Sequence, residues 1–225
     1  MERTPGTLYR ESQARVAEIV SGLDGYALAQ TVSATPKWSA RDVLAHLSGA
    51  ADDFCTGNLD GAGGEEWTAA QVARAEGTSV SDLVDAWERV ADQTAAALDS
   101  RQMPLFSMWD VITHEADVRE THGLGRLDDT VVDEALAPLW AMFAKRYPGP
   151  GRLDVVAGEQ TLHMGDGEPG LSPSVSAYEL FRGMLSRRSR AQMLAWAWQG
   201  DDPTTAMAHL TLFGVREDDQ PLPTP

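Results

Sequence analysis

The sequence predicts a mainly α protein, a four-helix bundle followed by a small α/β domain. Three observations carry that expectation. Amphipathic segments opened by capping signatures recur through residues 1 to 125. The block YPGPG at 147–151 then stops the helical pattern, because Pro and Gly break helices. Beyond it, short alternating runs separated by glycines replace the helical spacing. The expected domains are residues 1–146, a bundle with a connecting helix; 151–216, the α/β part; and 217–225, a flexible tail.

Residues 6–22 place Leu8, Ala14, Val16, Ile19 and Val20 near helical spacing, with Gly22 as the stop. A polar loop follows, ending at Pro36 and Lys37. Ser39 followed by Asp42 reads as a capping box opening a second helix, which buries Val43, Leu44 and Leu47 and ends near Gly57. The Gly-rich run 57–66 reads as a loop. Ser79 with Asp82 opens a third helix whose stripe is Leu83, Ala86, Trp87, Val90 and Thr94. A fourth spans about 105–122 and closes at Gly123. The connecting helix runs from Asp129 to Arg146. RLDVVAG and TLHMGDG read as a hairpin, Ser176 with Glu179 opens a further helix, AQMLAWAWQG reads as a strand by alternation, and PTTAMAHLTLFG as helical. The acidic, Pro-rich end EDDQPLPTP is expected to fray.

Composition excludes several classes. Lys plus Arg number 18 against 34 Asp plus Glu, a net charge of −16. Phosphate binding needs a basic stripe, and none is present, which argues against nucleic acid and anionic membrane surfaces. The single Cys55 rules out an intrachain disulfide. No window is apolar enough to span a membrane, and the charged N-terminus lacks a secretory apolar run. The expectation is a soluble, cytoplasmic monomer or homodimer acting on a small molecule.

The chemistry concentrates in WDVITHEADVRETHG, 109–123. Asp110, His114 and Asp117 stand at i, i+4 and i+7, one face of a helix. A carboxylate and an imidazole four residues apart can share a divalent ion, at about 2.0–2.2 Å for zinc. Two ligands hold such an ion poorly, and His46 is the best candidate for a third. Asp117 suits an outer acceptor that fixes the tautomer of His114. Each has a plainer alternative: His46 as a core histidine, the Asp110–His114 pair as a helix-surface contact, Asp117 as an exposed acid. His122 suits the negative end of its helix. Cys55 reads as an inert buried thiol, and His163 and His209 lack ligand-type neighbours. Arg187 and Arg188 read either as a solvated helix end or as a clamp for an anionic substrate. No nucleophile elbow, P-loop or dinucleotide pattern appears, and no catalytic nucleophile is expected.

WSARDVLAHLSG resembles the Trp-Ser/Thr-x-x-Asp-hydrophobic-x-x-His-Leu motif of the mycothiol-dependent maleylpyruvate isomerase family, within the DinB-like superfamily. HEADVRETHG resembles that family's second signature, a His, two intervening residues and an Asp, then a basic residue and a closing Gly. LFRGMLSRRSRAQ and LTLFG resemble the smaller α/β domain that often follows the bundle. The resemblance implies a DinB-like four-helix bundle holding one divalent metal, usually taken as zinc, on His46, Asp110 and His114. The isomerase has Glu where this chain has Asp110, one methylene shorter. It further implies mycothiol as thiol cosubstrate and isomerase or S-transferase chemistry on a small, electrophilic, anionic substrate. An Arg of the second domain helps bind that substrate in the isomerase. Metal-dependent hydrolysis and non-catalytic binding on the same fold are the rival readings.

Overall fold

A computed structural model describes residues 2–147, 151–200 and 202–223. It divides into two compact units, Met1–Arg126 and Leu127–Leu222. The first holds α1 (Pro5–Gly22), α2 (Gly25–Ala29), α3 (Ala40–Thr56), α4 (Glu65–Arg74), α5 (Val80–Asp99) and α6 (Phe106–His122). The four long helices α1, α3, α5 and α6 make the bundle, and α4 lies against α3.

Side-chain caps start α1, α2, α3 and α5. Thr4 accepts a hydrogen bond from the Thr7 amide, with Pro5 in the first turn of α1. The capping box at Ser39 is complete: its side chain accepts from the Asp42 amide while the Asp42 carboxylate accepts from the Ser39 amide. Ser79 caps α5 in the same sense. Gly123 ends α6 with φ of 65°, a left-handed conformation that a residue with a Cβ adopts only with strain. Trp87 is fully buried, and its indole N–H donates to the Tyr9 hydroxyl at 2.7 Å, tying α5 to α1. Glu115 of α6 is buried too, held by Arg15 of α1 at 2.8 Å, Ser12 at 2.7 Å and Arg119 at 2.9 Å. A fully desolvated carboxylate needs such partners, and here they fix α1 against α6.

The second unit holds α7 (Asp129–Ala144), β1 (Arg152–Ala157), β2 (Gln160–Met164), β3 (Pro169–Val175), α8 (Ala177–Met184), α9 (Arg190–Leu194), β4 (Ala197–Gln199) and α10 (Pro203–Leu210). Its sheet has the order β2-β1-β3-β4, with β1 antiparallel to β2, parallel to β3, and β3 antiparallel to β4. The fold is mainly helical with one small sheet, as expected.

The elements differ from expectation in several places. The connecting helix α7 belongs to the second unit, where its apolar face meets α8 and β2 and Trp140 donates to the His163 carbonyl at 3.1 Å. Part of the expected boundary block, 148–150, lies outside the described residues. Helix α4 was not anticipated because only Trp67 and Gln71 of it are buried, too few for an apolar stripe. Strand β3 was hidden by its prolines, which argue against a paired strand. The stretch expected as one strand, AQMLAWAWQG, splits into α9 and β4, because Ser189 and Gln192 form a capping box that starts a helix. In the expected tail, Glu217 pairs with Arg190 at 2.8 Å, Asp219 accepts from Ser189, and the Gln220 carbonyl accepts from Gln192 at 2.6 Å. No described helix is long and apolar enough to cross a membrane.

Candidate metal centre

His46 sits in the second turn of α3, downstream of the Ser39 capping box, and is 3% exposed. Asp110 and His114 project from successive turns of α6, where residues four apart share a face. The packing of α3 near α6 brings one ligand atom of each of the three residues within 4.8 Å of the others. His46 Nε2 lies 3.1 Å from one Asp110 oxygen, and His114 Nε2 lies 3.5 Å from the other. The two imidazole rings meet edge to face, with centroids 5.3 Å apart. Both are buried, whereas the Asp110 side chain is 39% exposed, so the cluster opens to solvent on the carboxylate side. Trp38, which directly precedes the cap of α3, covers it, with its ring 4.7 Å from His46 and 5.9 Å from His114.

The far nitrogens are occupied differently. His46 Nδ1 is 2.7 Å from the Gln71 side-chain oxygen. Gln71 donates to Asp53 at 2.9 Å, and Asp53 also accepts from Arg74 and Asn58, both at 2.7 Å. Burial pushes the Asp53 carboxyl up, but the bonds from Arg74, Gln71 and Asn58 outweigh it and hold the group below its ordinary range. His114 Nδ1 is 3.1 Å from the buried carboxylate of Asp117, an electrostatic contact that falls outside hydrogen-bond geometry. Both Nδ1 atoms thus face protein oxygens, and both Nε2 atoms face the open carboxylate. Two imidazole nitrogens and a carboxylate oxygen form a donor set that suits a borderline ion such as zinc, and three protein ligands leave a position open. The residues fit such an ion.

The remaining candidates lie elsewhere. Arg188 is fully buried, donates twice to Glu179 at 2.6 and 2.8 Å, and lies 6.0 Å from the Tyr178 ring centroid. The expected solvated helix end is therefore corrected for Arg188, whose charge is spent within the second unit. Arg187 is part-exposed and donates to the Leu185 carbonyl at 3.0 Å. His122 differs from expectation: burial lowers its pKa, favouring neutral imidazole over a cation at the helix end. Cys55 is half-buried between α3 and α5, 3.6 Å from the Thr94 hydroxyl. His163 faces Asp154 across the hairpin at 2.7 Å, and the His209 ring meets Tyr147 edge to face. Trp38 was legible in the motif that opens α3. Gln71, Asp53 and Arg74 were missed: Asp53 stands at i+7 from His46 on α3, a same-face spacing that went unread, and Gln71 and Arg74 lie on α4, which was not anticipated.

A helical bundle with a half-open His–Asp–His cluster between two of its helices presents three donors that could hold an ion. The chain matches the model of the mycothiol maleylpyruvate isomerase N-terminal domain over residues 9–135, and it belongs to that family. A crystal structure of the mycothiol-dependent maleylpyruvate isomerase superposes with a TM-score of 0.54 at 14% identity, covering 88% of this chain and 93% of that one. A mutant form of that enzyme gives a TM-score of 0.51 at 13% identity, covering 81% and 88%. At such identities the likeness establishes the fold. No curated protein matches.

Proposed function

We propose that this protein is a divalent-metal-dependent enzyme that uses mycothiol as cosubstrate to isomerise, or form a thioether with, a small electrophilic anion. The observation that carries this reading is the convergence of His46, Asp110 and His114 within 4.8 Å in a chain of the isomerase family. His46 and His114 would hold the ion, zinc by the chemistry of the donors, through Nε2, and Asp110 through its carboxylate. When bound, the ion supplies a Lewis acid that keeps a thiol as thiolate at neutral pH. The half-exposed Asp110 marks the side from which thiol and substrate approach, while Trp38 covers the ring faces of both histidines and limits water there. Asp117 offers its carboxylate to His114 Nδ1 and so favours a proton on that atom, leaving Nε2 free to ligate. In the reaction, the thiolate sulfur adds to one carbon of a C=C bond conjugated to a carbonyl, forming an S–C bond as the π pair moves onto the carbonyl oxygen as an enolate. Rotation about the resulting C–C single bond followed by return of the pair and expulsion of the thiolate gives an isomer, and protonation of the enolate carbon by solvent gives a thioether.

Arg187 and Arg188 of the second unit carry the reading of anion-binding residues, Arg188 being also paired with Glu179 and Arg187 bonded to the Leu185 carbonyl. A charge-assisted contact of that kind is worth about 1.5–3 kcal/mol, so Arg187→Ala should raise KM by roughly ten- to a hundredfold. An unchanged KM would exclude Arg187 from substrate binding. The overall reading is tested by assaying a maleylpyruvate-like electrophile with and without mycothiol. Turnover only with the thiol supports it. Turnover without thiol points to metal-dependent hydrolysis, and none with any electrophile points to a binding protein.

A further inference from the structure

We propose that Gln71, on the short helix α4, is a positioning residue of the metal centre that fixes His46 as its Nδ1–H tautomer by transmitting the acceptor character of the Asp53–Arg74 ion pair. The inference rests on the reading of His46 as a metal ligand only for its consequence; its geometry stands independently. The four groups form a line through the protein, with His46, Gln71 and Asp53 at most 3% exposed and Arg74 reaching the surface.

The direction of every bond in that line is dictated from its outer end. Arg74 can only donate, and it places a nitrogen 2.7 and 2.8 Å from the two oxygens of Asp53. A carboxylate so held is ionised and can only accept. The Gln71 amide must therefore turn its nitrogen toward Asp53, at 2.9 Å, and its oxygen toward His46, at 2.7 Å. A carbonyl oxygen only accepts, so His46 Nδ1 must carry the proton. Nε2, hydrogen-bonded to Asp110 at 3.1 Å, is then the nitrogen that would exchange that contact for a metal. Without Gln71 the acceptor at Nδ1 is lost, while Nε2 keeps the Asp110 carboxylate as an acceptor 3.1 Å away.

The backbone is shaped to permit this line. Gly49 of α3 faces Gln71 so closely that a Cβ there would lie 2.9 Å from Gln71 Cβ and 3.0 Å from Cγ. Only glycine lets α4 approach near enough for the amide to bridge His46 and Asp53. A simple polar cross-link between α3 and α4 explains the burial of Gln71 equally well. It makes no demand, however, on which nitrogen of His46 is protonated.

The test combines proton position with zinc affinity on the full chain. In metal-free protein, nitrogen–proton correlation spectra of the imidazoles are expected to show a proton on His46 Nδ1 in the wild type and its loss in Gln71→Leu. Competition with a zinc chelator should show Gln71→Leu binding Zn²⁺ roughly ten- to a hundredfold more weakly. The double variant Gln71→Glu/Asp53→Asn keeps the bonds from His46 to residue 71 and between residues 71 and 53, with donor and acceptor reassigned in the latter, gives up one of the two Arg74 contacts, and should restore both the Nδ1 proton and near wild-type zinc affinity. Gln71→Leu that keeps its Nδ1 proton, or binds Zn²⁺ as tightly as the wild type, overturns the proposal. If Gln71→Leu loses its helical circular dichroism, the double variant decides: loss of the Nδ1 proton there overturns the proposal and its retention upholds it. Wild-type protein that takes up no Zn²⁺ defeats the metal reading instead, and the position of the proton still decides this one.

Discussion

At the scale of residues, Asp53 shows how a carboxylate remote from the cluster governs its surroundings. Its pKa is depressed in the folded state, since the bonds from Arg74, Gln71 and Asn58 outweigh the effect of burial. A depressed carboxyl contributes stability that is complete above its unfolded pKa and is lost as pH falls through the folded value. Thermal midpoints across acid pH should therefore show the wild type losing stability below about pH 4, and Asp53→Asn losing less over the same range. Parallel curves for the two proteins would contradict this account of Asp53. Residue-scale legibility was uneven. Asp110, His114 and Asp117 could be read because helical spacing is local and writes itself into sequence. Gln71 could not, because its link to His46 spans 25 positions and exists only once α4 packs on α3.

Helices are positioned here by their first turns, and α3 is the clearest case because it carries both the capping box and His46. Loss of an N-cap side chain costs about 0.5–2 kcal/mol, so Ser39→Ala should lower stability by that amount in denaturant unfolding. No change would mean that packing alone fixes the start of α3. Trp87 of α5 is buried throughout its surface, and Trp87→Ala should cost about 3–5 kcal/mol, the largest single loss within the bundle. A cost below about 1 kcal/mol would show that the Tyr9–Trp87 contact does not organise α1 against α5. Elements with apolar periodicity and caps, α1, α3, α5, α7 and α8, were legible within a few residues, and α6, which has no side-chain cap, was legible from its closing Gly123. Those lacking one or the other were not: α4 buries two side chains, α2 spans five residues, and β3 contains prolines. The strand expected near the end failed because alternation of apolar residues competed with the Ser189 capping box, and the local hydrogen bonds won.

Over the whole molecule, a net charge of −16 repels the anionic substrate proposed here. Salt screens that field, with a Debye length falling from about 30 Å at 0.01 M to about 8 Å at 0.15 M. For an anionic electrophile, kcat/KM should rise as ionic strength increases over this range, and a fall would indicate a cationic approach path instead. The division into a bundle and a smaller α/β unit was foreseen; α7, expected as a connecting helix with the bundle, clusters with the second unit. Its amphipathic pattern says that it buries a face and does not say against which unit.

The central claim is that His46, Asp110 and His114 hold a divalent ion. Elemental analysis of purified protein beside a His46→Ala variant, both supplemented with zinc, tests it most directly. The wild type should carry roughly one equivalent per chain and the variant far less, since two remaining ligands hold such an ion poorly. Less than about 0.1 equivalent of any divalent metal in the wild type, when three converging donors should retain it, would contradict the account.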